Sequence, residues 1–218
     1  MKRLTKLANK YKTDKGSDYW YAHGFTEFYE PFLEKFEHPT ILEIGTAEGS
    51  SSKMLNEFFD GDCTIYTLDI DPNCRDKVAG YDNIKFYNVD CSDEVAIIKF
   101  LNEETYGIDF DIIIDDGSHF WEQQMLGLYL FSQKLKNGGI YILEDLHTSY
   151  SGIPNKNYDK SPLYFINFFE GGVTLYQSEK EELVKRLKDV IIFNRYNEKN
   201  EDFHNYRSVT AVITFKDK

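Results

Sequence analysis

The sequence is short of cysteine, of basic charge and of long apolar runs, and each shortage narrows what the chain can be. Cys63, Cys74 and Cys91 are its only cysteines, an odd number without Cys-x-x-Cys spacing. That argues against a disulfide framework or a zinc site and reads as reduced thiols in a cytosolic protein. Lys and Arg number 25 against 37 Asp and Glu, for a formal charge of −12. The positive face that displaces counterions from a polyanion is therefore missing, and a nucleic-acid partner is not expected. No 18 apolar residues run together, and the start, Met1 to Lys10, carries charge with no apolar stretch behind it. Neither a membrane span nor a signal peptide is expected, and the expected location is the cytoplasm.

The composition otherwise suits one globular domain over residues 1–218, with 41% hydrophobic and 16% aromatic residues. Aromatic rings are first of all core, but those in surplus are candidates to line a cleft. After a polar segment to about Ser17, the spacing of Phe25, Phe28, Tyr29, Phe32 and Phe36 predicts a helix. Thr40 to Gly45 then reads as a strand stopped by glycine, and Ser50 to Phe59 as a helix with Met54, Leu55, Phe58 and Phe59 on one face. A second strand, Cys63 to Ile70, ends before Pro72, which cannot continue a ladder. The alternation continues through the strand Ile84 to Val89, a helix from Glu94 to Leu101 and the strand Phe110 to Ile114. A helix from Trp121 to Leu135 with Gly138-Gly139 as its stop, and a fifth strand from Ile140 to Leu143, complete it. Strands alternating with helices imply right-handed crossovers and a parallel sheet covered on both faces.

The end of the chain breaks that rhythm. Ser178 to Glu181 reads as a capping box opening a helix to about Lys188. Val190 to Asn194 and Ser208 to Phe215 follow as strands with no crossover-length helix between them, so they should pair antiparallel. In the last strand, Val209, Ala211, Ile213 and Phe215 alternate with Ser208, Thr210 and Thr214, which predicts one buried and one more polar face. The polar stretch from His147 to Pro162 directly follows the fifth strand. Residues 1–38 are thus expected to form an amino-terminal helical cap and 39–146 a ligand-binding core. Residues 147–176 are expected to form a loop or lid, and 177–218 the closing helix and hairpin.

Glu43-Ile-Gly45-Thr46-Ala47-Glu-Gly49-Ser50 is a turn of small residues between a strand and a helix. Small side chains let the backbone approach a ligand, and the helix starting near Ser50 offers free N–H groups to an anionic one. A nicotinamide-binding turn uses similar chemistry, but its Gly-x-Gly-x-x-Gly fingerprint is absent. The segment resembles the first motif of class I S-adenosylmethionine-dependent methyltransferases, with Ala47 in the middle small position. The resemblance implies a Rossmann-like α/β fold with a seven-stranded, mostly parallel sheet and an antiparallel carboxyl-terminal hairpin. It further implies cofactor contacts from Glu43, Gly45, Thr46, Ala47, Gly49 and Ser50. Asp69 ends the second strand, where an acidic side chain can accept bonds from ribose hydroxyls, and it is favoured over its neighbour Asp71. Asp90, after the third strand, matches the family's adenine-side acidic position and could equally cap the next helix.

Carboxylates crowd two further strand ends, as Asp115-Asp116-Gly-Ser-His119 and Glu144-Asp145-Leu-His147. With those strands about 5 Å apart, Asp116, Glu144 and Asp145 are expected to converge and to repel unless they bind a cation. Oxygen ligands suit Mg²⁺, Mn²⁺ or another hard divalent ion. His119, three residues from Asp116, is the expected general base, with His147 at the same offset from Glu144 as the competitor. Asp115 is assigned to the cofactor side, and His147 and Tyr150 to the substrate side.

The stretch from Asp115 to Tyr150, with Lys12-Thr13-Asp14-Lys15-Gly16 and the following His23, Thr26 and Tyr29, resembles the metal-dependent sugar O-methyltransferases of macrolide and tetracenomycin biosynthesis. That resemblance implies methyl transfer to a hydroxyl of a small-molecule sugar, a nucleotide-activated sugar, a glycoside or a surface-polysaccharide precursor. A nucleotide sugar needs only a few cations and a metal ion, so the acidic charge does not bar it. The chain could instead serve as a catechol-type O-methyltransferase or as a cofactor-binding module without catalysis. A homo-oligomer is compatible with the sequence and is not specified by it.

Overall fold

The structure is a computed structural model that describes residues 1–18, 22–149, 161–168, 175–196 and 207–218. They divide into two units, Met1–Asp90 and Cys91–Lys218.

The first unit opens with a helix that the polar composition conceals, α1 (Arg3–Tyr11), which buries Leu4, Thr5, Leu7 and Ala8. Its start is fastened by α2 (Phe25–Leu33), where the Glu30 carboxylate accepts from the Arg3 and Leu4 amides at 3.3 and 2.7 Å. An acceptor supplied from a neighbouring helix satisfies amide donors that the helix itself leaves open. Three strands follow, β1 (Thr40–Ile44), β2 (Thr64–Asp69) and β3 (Ile84–Asn88), with α3 (Ser50–Phe58) and the short α4 (Cys74–Lys77) between them. β2 pairs with β1 and with β3, both in parallel, so β2 is the middle strand of this unit. Ile41, Leu42, Ile65 and Leu68 are fully buried. Such continuous apolar runs, rather than alternation, mark strands covered on both faces.

In the second unit α5 (Glu94–Lys99) runs on through a π-helical turn, Phe100–Glu104, into β4 (Phe110–Asp115). α6 (Trp121–Phe131) stops earlier than its apolar stripe predicts, and after a 3₁₀ turn, Ser132–Lys134, Leu135 already belongs to β5 (Leu135–Leu143). The pairing of β4 with β5 is parallel and shifts register between Phe110 and Ile112. Gly139 lies in the shifted stretch, where a Cβ would stand 3.0 Å from the carbonyl oxygens of Asp111 and Lys136. The Gly138-Gly139 pair therefore serves a strand irregularity and is not a helix stop.

A 3₁₀ turn (Leu146–Ser149), α7 (Pro162–Phe168) and α8 (Gln177–Arg186) precede β6 (Leu187–Tyr196) and β7 (Arg207–Phe215). The capping box falls two residues before the expected one, with the Glu179 carboxylate accepting from the Tyr176 amide at 2.8 Å. As expected, β6 and β7 pair antiparallel, and β7 also pairs antiparallel with β5. That second pairing makes β7 a middle strand, and its more polar face is largely covered as well, with Ser208 and Thr210 buried along with Val209, Ala211 and Ile213 and Thr214 half-buried. Thr210 solves its burial by donating to the Leu143 carbonyl at 3.0 Å. Thr210→Val keeps the volume and removes that donor, and denaturant unfolding should show a loss of about 1–2 kcal/mol. No helix among the described residues is long and apolar enough to cross a membrane.

Candidate functional site

In the first unit, β1 runs into the glycine-rich turn through three residues with positive φ: Gly45 at 96°, Ala47 at 44° and Gly49 at 68°. The turn is fixed from two sides. Asp69, at the end of β2, accepts from the Thr46 and Ala47 amides with one carboxylate oxygen at 3.0 and 2.9 Å, and from the Asp71 amide with the other at 2.9 Å. Beneath the turn, Glu43 is fully buried and takes the Ser52 hydroxyl, tying the first turn of α3 to β1. The Thr46 and Thr67 hydroxyls bond each other at 2.7 Å.

Gly49 precedes α3, and the opening amides of that helix, starting at half-buried Ser50, point a positive dipole end into the turn. Asp71 is spent on its own turn, accepting from the Asn73 amide and side chain at 2.9 and 2.7 Å, which leaves Asp69 as the acid at the glycine turn. Asp90 is half-buried beyond β3 and does not cap α5. That task falls to Asp93, which accepts from the Val95 amide at 2.9 Å.

The second unit gathers the other candidates. Asp115, 4% exposed at the end of β4, accepts from the Tyr141 hydroxyl at 2.8 Å. Burial pushes its carboxyl up to about 6, against the opposing pull of the Tyr141 bond. Tyr141 in turn is held well above its usual value, by burial first and then by Asp115. Tyr141→Phe should therefore destabilise the fold by about 1–3 kcal/mol, because it removes one of the hydrogen bonds to a buried carboxylate and leaves the Gly117 amide. The bond stabilises the ionised form, so the deficit in denaturant unfolding should be larger at pH 8 than at pH 5, where most of Asp115 is protonated.

Beyond Asp115 the chain turns sharply, and His119 takes a positive φ of 57°. Asp145, past β5, does the same at 54°. Two non-glycine residues in the left-handed region, each costing about 1 kcal/mol or more, bring their side chains to one place. His119 Nε2 lies 3.3 Å from Asp145 Oδ2, and ligand-capable atoms of Asp116, His119 and Asp145 all lie within 4.8 Å of one another. His147 Nδ1 stands 3.6 Å from the other Asp145 oxygen. Asp145 thus faces an imidazole on either side.

Two of the three expected ligands, Asp116 and Asp145, are together, and His119 joins them. Glu144 is buried at 1% exposure and is not in that group. Its backbone ties strand ends instead, donating to the Asp115 carbonyl at 3.0 Å and accepting from Gln124 Nε2 at 2.9 Å. Gln124 was not singled out from the sequence, although a lone amide on the apolar stripe of α6 is a readable signal. Tyr150 lies outside the described residues, as do 150–160 and 169–174 of the expected lid.

The chain matches no family model. Over 157 residues, 67% of its length, it is 31% identical to the 8-demethyl-8-(2-methoxy-α-L-rhamnosyl)-tetracenomycin-C 3′-O-methyltransferase of Streptomyces olivaceus, of which it covers 37%. Among solved structures it resembles a methyltransferase of the mycinamycin biosynthetic pathway in complex with Mg, SAH and mycinamycin VI. There the TM-score is 0.71 at 21% identity, over 98% of this chain and 53% of that one. It also matches an O-methyltransferase from Bacillus cereus in complex with SAH, with a TM-score of 0.58 at 12% identity over 97% of this chain and 90% of that one.

The strand–turn–helix alternation closed by an antiparallel hairpin is the class I methyltransferase fold, Rossmann-like, seven-stranded and mostly parallel, as expected. Within it, this chain is a homologue of the macrolide and rhamnosyl sugar O-methyltransferases, the mycinamicin type among them. It spans little more than a third of the length of the curated relatives it matches.

Proposed function

We propose that the protein is an S-adenosylmethionine-dependent, divalent-metal-assisted O-methyltransferase acting on a sugar hydroxyl of a small molecule, either a nucleotide-activated sugar or a glycoside. The observation that carries the reading is the approach of Asp116, His119 and Asp145 at the ends of β4 and β5. Two carboxylates held that close repel unless they bind a cation, and their oxygens suit a hard divalent ion, with the His119 imidazole beside them placed to take a proton. The fold supplies the other half of the argument, since a glycine turn fixed by an acidic residue at the end of the second strand suits a nucleoside ligand.

Gly45, Thr46, Ala47, Gly49 and Ser50, with Glu43 beneath them, would hold the methionine end of the cofactor. Asp69 would take the ribose and Asp90 the adenine side, with Asp115 completing the cofactor set. When bound, that cofactor supplies an electrophilic methyl group on a sulfonium. Asp116 and Asp145 would hold the ion, without the expected third ligand Glu144, and when bound it would supply positive charge that makes a hydroxyl easier to deprotonate.

The chain's own residues then have the proton to move. His119 Nε2 accepts it from the acceptor hydroxyl, and Asp145, 3.3 Å away, stabilises the imidazolium that forms. His147, beside the other oxygen of Asp145, is the alternative base and a substrate-side residue with Tyr150. Replacing each histidine by Gln separates them: the base is the one whose loss lowers turnover by about a hundredfold or more and leaves a residual rate without the acidic limb of the pH–rate profile.

The deciding experiment is calorimetric titration with SAH, with and without Mg²⁺ or Mn²⁺, followed by a turnover screen of nucleotide sugars, simple glycosides and catechols. Micromolar binding with metal-dependent turnover of a sugar supports the proposal. Turnover of catechols alone would replace the acceptor class, and metal-independent turnover would remove the metal from the mechanism. Absence of SAH binding would overturn the reading altogether.

A further inference from the structure

Phe120 stands at the start of α6 with nearly half of its surface open to solvent. It is the residue before α6 and makes no side-chain cap, where Ser, Thr, Asp or Asn would contribute about 1 kcal/mol. It is also 43% exposed, while its neighbour Trp121 is buried at 2%. Among the described residues its ring contacts no other aromatic ring. Its place is nevertheless fixed. The Ser118 hydroxyl accepts from its amide at 3.4 Å and bonds the Gln123 side chain, and its own carbonyl accepts from the Gln124 amide at 2.9 Å. The turn that presents it is the one in which His119 holds φ at 57°, so an exposed aromatic ring is anchored one residue from the Asp116–His119–Asp145 group.

An exposed ring on a rigid backbone beside a polar cluster matches what a pyranose needs. A sugar ring has an apolar C–H face and hydroxyls at its edge, so it can stack on an aromatic face while offering one hydroxyl to charged groups. We propose that Phe120 is the platform on which the acceptor's sugar ring stacks, and hence a determinant of specificity for pyranosides. This rests on the sugar-methyltransferase reading for its ligand, and on the placement of Phe120 for its site.

The test uses the whole protein with SAH and Mg²⁺ and methyl α-L-rhamnopyranoside as the probe. Saturation-transfer NMR, with the protein's aromatic protons irradiated, reads contact with the sugar's C–H groups. Titration gives the affinity, and initial rates are measured in parallel with S-adenosylmethionine. Wild type is expected to transfer saturation to the sugar. Phe120→Ala should bind the probe about five- to tenfold more weakly and raise KM by the same factor with kcat within twofold. Phe120→Trp should retain both, while SAH affinity should stay unchanged in every variant and unfolding should show each still folded at the assay temperature.

Probe binding that depends on Phe120 without methyl transfer would support the platform and overturn the sugar-methyltransferase reading. Methyl transfer with Phe120→Ala indistinguishable from wild type would keep that reading and overturn the platform. No millimolar binding of the probe to wild type would also overturn it.

Discussion

Asp116→Asn is expected to lower methyl-transfer turnover by about a thousandfold or more while leaving SAH affinity within about twofold of wild type. The substitution keeps the shape of the side chain and removes its charge. In a group whose donor atoms all lie within 4.8 Å, that charge is one of the two carboxylates that would attract a divalent ion. A thousandfold loss corresponds to about 4 kcal/mol of transition-state stabilisation, the range in which a metal-borne Lewis acid operates. Asp116 is not among the residues proposed to hold the cofactor, most of which lie at the ends of β1, β2 and β3, so binding and chemistry should separate in the variant. Steady-state rates and calorimetry on the same preparation, at several Mg²⁺ concentrations, check both halves. Partial recovery at high Mg²⁺ would match a weakened site, and a variant as fast as wild type would remove the metal from the mechanism.

The glycine turn and the Asp116–His119–Asp145 group were legible in the sequence to different depths. The glycine turn was readable because its chemistry is local. Gly45, Gly49 and the start of α3 lie within a few residues of each other, and Asp69 needed only the assumption that β2 ends before Pro72. The second group depends on backbone dihedrals. Asp116, His119, Glu144 and Asp145 could be placed at strand ends, but although Asp and His adopt a positive φ more often than most residues, nothing in the sequence says that His119 and Asp145 are the ones that do. Which carboxylate joins His119 was therefore beyond the sequence.

Burial was misread for a similar reason. The alternation in β7 marks a half-exposed strand only if one face meets water, and here the face that carries Ser208 and Thr210 is covered too. Within the expected amino-terminal helical cap, α1 stayed inside the polar segment to about Ser17 because Arg3, Lys6, Asn9 and Lys10 mask its periodicity. Its buried stripe is Leu4, Thr5, Leu7 and Ala8, held in place by a carboxylate from a helix some 25 residues away.

Gly49→Ala should combine a stability loss of about 2–4 kcal/mol with at least a tenfold loss of SAH affinity. The backbone there has a φ of +68°, which costs an L-residue about 1–2 kcal/mol before any contact is counted. The added methyl would then stand 2.7 Å from Cγ1 of Val78 and 3.3 Å from the Lys77 carbonyl oxygen. Val78 is 3% exposed, so it has little room to yield, and relief must come from the turn itself. Movement of the turn would strain the Thr46 and Ala47 amides away from Asp69 and tilt the first amides of α3. Those groups are the ones proposed to meet the cofactor, so the strain and the binding loss share one cause. A double variant with Val78→Ala makes room for the methyl but leaves φ unchanged. It should recover part of the affinity, measured by calorimetry with SAH, and recovery to wild-type affinity would show that the contact, not the dihedral, was the main cost.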